Sequence, residues 1–346
     1  MTTRPHDLTA PTLHRSQQDI PQTSDLSPQA IAARLRKGIP VRLDSSFRDG
    51  QTVLSSFKQT LQVPKSTAPF QKREQFELQF RTQTSWLWVA LENGHIQLAG
   101  IDLGNLIETL YGTNVNGYLS FHDIREMAGA WKRIQQGIHF AVLGQKLHPF
   151  FGVYFPTRTE HLELFTTWLS QYKGPKRYAV DVGTGSGILS FLLLKNGFEQ
   201  VLGTDMNPNA LWSAQHDAQR LGYQGRFATK QTDLLNDIEP TSLIVFNPPW
   251  IPGRSHSSVD DALFFEQGLF TRFFDQATKK LLPNGRIVLI FSTILTLLRP
   301  DIPHPIETEL SKGRFLLLNK MQRKVKPTNG KRTKEKVQIW ELSLNE

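Results

Sequence analysis

Residues 177–188 read RYAVDVGTGSGI, a short apolar run followed at once by a glycine-rich turn and the start of a further apolar segment. Glycines at 183, 185 and 187 let the backbone turn sharply and come close to a ligand that a Cβ atom would keep away. The segment therefore predicts a strand at 177–182, a ligand-binding turn, and a helix at 188–196. This is the first unit expected of an α/β nucleotide-binding fold.

The alternation of strands and helices continues towards the C terminus. We predict further strands at 200–204, 227–232, 242–246 and 286–292, helices at 208–221 and 260–282, and a final strand pair at 314–319 and 337–344. This order is typical of a Rossmann-like α/β sheet wrapped by helices, mostly parallel with an antiparallel last strand. In such open sheets, ligands bind beyond the carboxyl ends of the strands.

Length and composition divide the chain into three parts. Its 346 residues exceed the usual size of one domain. Residues 1–27 are polar and are expected to form a disordered tail. Residues 28–138 are expected to form an accessory or substrate-recognition domain, and 139–346 the α/β domain. Within the accessory domain, the alternation of Phe76, Leu78 and Phe80 favours a strand.

Several classes of protein are disfavoured by what the sequence lacks. The chain has no cysteine, which excludes disulfides, thiolate metal sites and cysteine nucleophiles. Its ten histidines show no metal-binding spacing, so no metal is predicted. The longest apolar run, 287–298, is too short to span a bilayer. Without a signal-peptide pattern, a cytoplasmic protein with no membrane segment is expected.

The formal net charge of +9 is concentrated in one segment. Ten of the 40 Lys and Arg residues lie between positions 312 and 336, against a single acid, Glu335. A concentrated positive field can hold phosphates, so the basic loop (Lys320 to Lys336) is a candidate nucleic-acid contact. A solvated hairpin tip at 327–330 explains the same residues equally well.

Acidic residues stand at three strand ends. The carboxylate of Asp181 precedes the glycine turn, where it suits a cationic ligand better than an anionic pyrophosphate. Asp205 lies eighteen residues after Gly187, where an acid can accept hydrogen bonds from both hydroxyls of a ribose. Asp233 is expected to accept a hydrogen bond from an adenine amino group. Turn or cap chemistry is the alternative for Asp205 and Asp233.

A second motif, Asn247-Pro248-Pro249-Trp250, follows the strand predicted at 242–246. The side-chain carbonyl of Asn247 and the backbone carbonyl of Pro248 can each accept one N–H of a planar NH₂ group. Proline donates no hydrogen bond, so the corner is rigid and rich in acceptors. Trp250 is expected to stack on the acceptor's flat face. An ordinary Asn-Pro turn explains the first two residues but not the whole tetrapeptide.

Together the two motifs indicate methyl transfer from S-adenosylmethionine (SAM) to nitrogen. The predicted catalytic residues are Asn247, Pro248 and Trp250. The predicted cofactor-binding residues are Asp181, Gly183, Thr184, Gly185, Gly187, Asp205, Asp233 and Asn247.

Residues 139–346 resemble class I SAM-dependent methyltransferases with the N-P-P-[FYW] motif, and especially the HemK/PrmC-like enzymes that methylate glutamine side-chain amides. The resemblance lies in residues 181–187, 205 and 247–252, and in Gly152-Val153-Tyr154-Phe155-Pro156 followed by Thr159-Glu160. It implies SAM as the cofactor and a role for Thr159 and Glu160 in closing the pocket. The chain differs in Trp250, where Tyr is usual, and in having one residue fewer between Pro156 and Glu160.

The expected function is that of a SAM-dependent N-methyltransferase with a macromolecular acceptor. A protein glutamine amide is the favoured acceptor. Enzymes with the same tetrapeptide also modify exocyclic amines of adenine or guanine in RNA or DNA, and the basic loop supports that alternative. A protein that binds SAM without turnover is the third possibility.

Overall fold

The computed structural model describes residues 8–16, 19–65, 70–252, 264–326 and 334–345. Its contacts divide the chain into two compact units, Arg4–Lys132 and Arg133–Glu346. Each unit has its own main sheet, of four described strands in the first and seven in the second.

The first unit combines a small mixed sheet with helices. Its helices are α1 (Pro28–Arg36), α2 (Phe47–Gln59), α3 (Phe70–Thr84), α4 (Leu106–Tyr111) and α5 (Phe121–Gln136), which continues to the start of the second unit. Its strands are β1 (Val41–Arg42), β2 (Leu87–Glu92), β3 (His95–Ile96) and β4 (Gly117–Ser120). Strand β2 pairs in parallel with β1 and antiparallel with β3 and β4.

Two features of this unit differ from the predictions. Phe76 and Phe80 lie on helix α3 and are both buried, whereas Leu78 between them is 38% exposed. A spacing of four residues places the two phenylalanines on one helix face, which explains the misleading alternation. The described part of residues 1–27 is also not a detached tail, because Leu8 and Ile20 are buried and His14 forms an antiparallel bridge with Tyr118.

The second unit contains nearly every predicted element of the α/β domain. Its helices are α6 (Glu160–Gln171), α7 (Ile188–Lys195), α8 (Pro208–Arg220), α9 (Leu269–Lys280), α10 (Ile294–Leu298) and α11 (Pro305–Leu310). Its strands are β5 (Ile138–Phe140), β6 (Gln145–Leu147), β7 (Tyr178–Val182), β8 (Gln200–Asp205), β9 (Phe227–Gln231), β10 (Thr241–Phe246), β11 (Ile251–Pro252), β12 (Phe264–Phe265), β13 (Leu281–Ser292), β14 (Phe315–Lys324) and β15 (Lys336–Leu344). Helix α9 is shorter than the predicted 260–282, and residues 260–263 lie outside the described part of the chain.

The main sheet of the second unit has the order β14-β15-β13-β10-β7-β8-β9. The five strands from β13 to β9 pair in parallel, and β15 is antiparallel to both β13 and β14. The predicted Rossmann-like fold class is therefore confirmed. Strand β7 lies between β8 and β10, so the chain order reverses at this strand, which is where ligands bind in open α/β sheets.

Helices cover both faces of the sheet. Successive strand residues point to opposite faces. Ala179 packs into a core with Phe165 of α6 and Leu192 of α7, whereas Val180 packs into a second core with Phe273 of α9. Burial on both faces accounts for the continuous apolar runs of β7 and β10, as expected for parallel strands.

The end of the glycine turn gives a test of the packing. Gly187 has φ +78, and a Cβ atom there would come within 2.7 Å of the buried Phe191 ring. Gly222 has nearly the same φ, +77, but no atom within 4 Å of that position. We expect Gly222→Ala to cost about 1–2 kcal/mol for its left-handed backbone.

Gly187→Ala should cost about 1–3 kcal/mol more than this control, because the ring of Phe191 must also move. Urea unfolding of the two variants beside the wild-type protein measures both values. Equal losses of stability would contradict the proposed steric contact with Phe191.

Candidate active site

The sheet register brings three predicted segments to one edge. Phe246 of β10 pairs with Val182 of β7, and Val182 pairs with Thr204 of β8. The next residue on each strand is therefore Asn247, Gly183 and Asp205, respectively. Because the strands are parallel, these three residues lie side by side at their carboxyl ends.

The glycine turn is fastened to strand β8. The backbone N–H of Thr184 donates to the carbonyl of Thr204 at 2.9 Å, and that of Gly185 donates to Asp205 Oδ2 at 3.0 Å. Gly185 has φ +51, and a Cβ atom there would lie 3.4 Å from the carbonyl oxygen of Tyr154. The turn thus passes closely under the segment that contains Tyr154.

A cavity opens at this edge. Five predicted site residues line it, namely Gly183, Thr184, Gly185, Asp205 and Asn247. Five others do not line it as the described residues form it, namely Asp181, Gly187, Asp233, Pro248 and Trp250. The cavity therefore brings together the predicted residues at the ends of β7, β8 and β10, and the binding roles of all ten residues stay predictions.

Asp205 stands on the cavity wall in a fixed orientation. Its Oδ1 accepts a hydrogen bond from the N–H of Asn207 at 2.9 Å, while Oδ2 accepts the bond from Gly185. Both of these contacts are with backbone donors, which fix the direction of the carboxylate. The placement is consistent with the predicted ribose contact, which stays a prediction.

Asp181 has a different place from the one expected. It is 1% exposed, and its Oδ2 accepts hydrogen bonds from Thr184 Oγ1 at 2.9 Å and from Ser190 N and Oγ at 3.1 and 2.6 Å. Burial raises the pKa of its carboxyl group to about 6. The side chain supports the glycine turn through these bonds and does not line the cavity, so the predicted contact with a cationic ligand stays a prediction.

Asp233 also differs from its expected place. Its Oδ2 lies 3.3 Å from Nε of Arg272 on α9, in an ion pair. The side chain therefore has a structural partner away from the cavity, and the predicted contact with an adenine amino group receives no support from this geometry.

The first and last residues of the tetrapeptide have different surroundings. Asn247 lines the cavity, and its buried Oδ1 has no hydrogen-bond partner among the described residues. Trp250 instead packs between the two cores, and its Nε1 donates to the carbonyl of Ile290 at 3.2 Å. A ring held in this way is not placed to stack on an acceptor in the cavity.

A segment distant in sequence completes the wall. Residues 150–152 are held on helix α8, where Asn207 Nδ2 donates to Gly152 O at 2.8 Å and Asn209 Nδ2 donates to Phe151 O at 2.9 Å. Tyr154 and Pro156 follow and line the cavity. The sequence signal was present in the quoted stretch 152–156, although no role was predicted for its individual side chains.

The start of α6 supplies the rest of this wall. Thr159 and Glu160 do not line the cavity, in contrast to the role that the resemblance implied. Glu160 is buried and accepts a hydrogen bond from the N–H of Lys326 at 2.9 Å, which ties α6 to the end of β14. The next two residues, His161 and Leu162, do line the cavity.

Sequence reasoning missed His161. Its side chain is 3% exposed and meets the Trp250 ring edge-on, with centroids 5.7 Å apart and an interplanar angle of 89°. Burial lowers the pKa of its imidazole to about 4, with the carboxylate of Glu160 opposing that shift. The ring is therefore neutral at physiological pH.

Four of the ten bases between positions 312 and 336 are paired with acids among the described residues. The hairpin tip at 327–330, together with Lys331 and Arg332, lies outside the described residues. Four other bases, Lys312, Arg314, Lys320 and Arg323, form ion pairs with Glu309, Asp275, Glu307 and Glu163. Such pairing weakens the positive field that the composition suggests, and a nucleic-acid contact stays a prediction.

The described ranges contain neither a metal-binding cluster nor a membrane-spanning helix. No group of three or more His, Cys, Asp or Glu side chains there could hold a metal ion. Among the described helices, none combines the length and apolar character that a bilayer span requires.

The geometry fits SAM as a ligand on two counts. Gly183 and Gly185 line the cavity without side chains, so a ligand can approach their backbone closely. Asp205 lies at the carboxyl end of β8, the position from which an acidic residue contacts a ribose in nucleotide-binding folds. Asn247 lines the same cavity, and its Oδ1 can accept a hydrogen bond from an N–H group of a ligand.

Comparison with known proteins places these features in context. The family model "Methyltransferase small domain" matches residues 162–300. A putative protein N5-glutamine methyltransferase from Methanocaldococcus jannaschii is 30% identical over 157 residues, 43% of this chain and 76% of that protein. A tRNA1(Val) (adenine(37)-N6)-methyltransferase from Glaesserella parasuis is 30% identical over 120 residues, 33% of this chain. The match spans about half, 51%, of the latter protein's length.

Among solved structures, the ribosomal protein L11 methylase from Lactobacillus delbrueckii subsp. bulgaricus is similar with a TM-score of 0.42 and 21% identity. The similarity covers 59% of this chain and 87% of that one.

Two acidic side chains allow a matched test of cofactor binding. We expect Asp205→Ala to weaken SAM binding by about tenfold or more, since hydrogen bonds to a charged group contribute about 1.5–3 kcal/mol. Asp233→Ala should change the affinity by less than about twofold, because its partner is Arg272. Calorimetric titration with SAM measures both. Retention of full affinity in Asp205→Ala would remove this residue from the cofactor site.

The raised pKa of Asp181 predicts how stability depends on pH. The folded protein holds this proton up to about pH 6, whereas an unfolded aspartate loses it near 3.8. The folded state therefore binds more protons in this window, and stability falls as the pH rises through it.

Asp181→Asn should remove this contribution, because the amide does not titrate. The free energy of unfolding of the wild type, taken relative to that of the variant, should fall by roughly 3 kcal/mol as the pH rises from about 4 to 6. Urea unfolding at several pH values measures it. A difference that stays constant would show that the carboxyl group is not perturbed.

Proposed function

The chain belongs to the methyltransferase small domain family, and from this membership we propose that it transfers the methyl group of SAM to a planar nitrogen of a macromolecular substrate. The observation that carries the proposal is the buried, unpartnered Oδ1 of Asn247 on the cavity wall. A buried acceptor without a partner costs about 1–3 kcal/mol. An arriving N–H group would remove that cost.

Asn247 and Pro248 orient the nitrogen of the substrate. SAM, when bound, supplies a methyl group on a positively charged sulfur that leaves readily. Asn247 Oδ1 accepts one N–H of the substrate, and the carbonyl of Pro248, a residue that does not line the cavity, stays the predicted acceptor for the other. Both bonds strengthen as positive charge develops on nitrogen, and they aim its lone pair at the methyl carbon.

A protein glutamine amide is the acceptor that we favour. The relative from Methanocaldococcus jannaschii, of which the chain covers 76%, is named for this chemistry. Trp250 is held by Ile290 and His161, so the stacking partner expected for a nucleobase is engaged elsewhere. Ion pairs on four bases of the basic segment also reduce its attraction for a phosphate backbone.

An exocyclic amine of adenine or guanine in RNA or DNA is the second candidate. Its support comes from the name of the Glaesserella parasuis relative, a tRNA adenine methyltransferase. Further support comes from Lys324 and Lys326, which lie at the end of β14 beside the part of the basic loop outside the described residues.

Substitution of Asn247 tests the reaction. Asn247→Ala should lower kcat by about 10²–10³-fold, because an acceptor that acts on developing charge is lost, while SAM affinity stays unchanged. Asn319→Ala, at an exposed asparagine on β14, is the control and should behave as wild type. Turnover is measured as labelled methyl transfer from SAM into macromolecules of a desalted cell extract. Unchanged turnover in Asn247→Ala would exclude the assigned role.

The same labelled extract identifies the acceptor class. For a protein acceptor, protease should release the label and nuclease should not, and a rise in salt should change the rate little. Release by nuclease and a steep loss of rate with salt would overturn the glutamine assignment in favour of a nucleobase. A protein that binds SAM but labels no macromolecule would be the non-catalytic alternative.

A further inference from the structure

His161 is a polar side chain of the cavity wall that has no role in the proposed function so far. His161 shares the cavity wall with Asn247 and Pro249. Its Nε2 is buried and has no hydrogen-bond partner within the described ranges. Buried polar atoms in native structures normally have a partner, so an orphaned one in a ligand cavity indicates a group that arrives with the ligand.

Methylation of an NH₂ group leaves a proton to be removed. When the nitrogen lone pair bonds to carbon, the nitrogen carries two hydrogens and a positive charge. The proposed acceptors at the corner, Asn247 Oδ1 and the carbonyl of Pro248, are amide oxygens. They accept hydrogen bonds but are far too weakly basic to hold a proton at neutral pH. A more basic group close to the acceptor nitrogen would provide a direct acceptor for this proton.

We propose that His161 takes this proton through Nε2 and is a catalytic base of the reaction. The inference rests on the proposed function. The nitrogen lone pair forms the new N–C bond, and the electrons of the broken C–S bond stay on sulfur. The electrons of one N–H bond return to nitrogen as its proton passes to Nε2. The imidazolium later releases this proton to solvent.

The charge balance of the cavity favours this step. The sulfonium loses its positive charge as the imidazolium gains one, so the net charge of the enclosed site stays constant. A reaction that created a new charge in a buried site would carry a desolvation cost. Transfer between two groups in the same cavity leaves the number of charges there unchanged.

The surroundings of His161 keep its ring uncharged before the reaction. Burial lowers the pKa of the ring to about 4, so the ring is uncharged at neutral pH. In the proposed tautomer the hydrogen is on Nδ1 and Nε2 carries the lone pair. The carboxylate of Glu160 precedes it on α6 and favours the imidazolium, while Asp205 and Tyr154 share the cavity wall. From β14, Lys326 binds Glu160 through its backbone N–H.

Chemical rescue tests the proposal. His161→Ala should lower kcat for labelled methyl transfer into the desalted extract by about 10²-fold or more, the usual contribution of a general base. Added imidazole should restore much of the rate. Pyrazole has the same size and shape but is much less basic, and should not. His161→Gln keeps hydrogen bonding without a titratable group and should be as slow as His161→Ala.

Controls separate this proposal from the proposed function. SAM affinity of both His161 variants should stay close to that of wild type, which shows that the cavity is intact. His161→Ala should unfold at a lower temperature because it leaves space beside Trp250, whereas His161→Gln fills more of that space and should lose less. Wild-type kcat in His161→Gln, or equal rescue by imidazole and pyrazole, would overturn the role as a base and leave a packing role. These outcomes leave the proposed function standing if Asn247→Ala is still inactive. Failure of the wild-type protein to label any macromolecule overturns both.

Discussion

A single buried carboxylate oxygen, Oδ2 of Asp181, holds the turn on which the site is built. It accepts three hydrogen bonds, from Thr184 Oγ1 and from the backbone N–H and hydroxyl of Ser190. These bonds join the end of β7 to the start of α7 across a turn whose glycines 183, 185 and 187 all have left-handed φ values. The burial that makes the bonds strong also raises the pKa of the carboxyl group, so rigidity and pH sensitivity share one cause.

The glycine turn lies next to the ends of two neighbouring strands, because β7 pairs in parallel with both β8 and β10. Asp205 after β8 and Asn247 after β10 flank Gly183 through the sheet register alone. This edge offers a bare backbone, a carboxylate and an amide oxygen within one cavity. In the proposed function, the glycine backbone and the carboxylate of Asp205 bind SAM, and the amide oxygen of Asn247 orients the nitrogen that receives the methyl group.

The other wall of the cavity depends on contacts between distant parts of the second unit. Helix α8 holds residues 150–152 through Asn207 and Asn209, and the end of β14 holds Glu160 at the start of α6. These contacts place Tyr154 and His161 over the glycine turn. The imidazole on this wall is neutral but far more basic than the amide oxygens of Asn247 and Pro248, so it is the better proton acceptor of the three.

The sequence by itself determined the strand-end chemistry. The order of elements, the glycine turn, Asp205 and Asn247 follow from local patterns, because a parallel strand exposes its carboxyl end wherever it lies in the sheet. Only the tertiary structure decided which neighbouring side chains face the ligand. Asp181 and Trp250 turn towards buried partners, and His161, whose spacing signals nothing, turns to the cavity. Side-chain direction at these positions depends on packing against Ser190, Ile290 and α6, which no local pattern encodes.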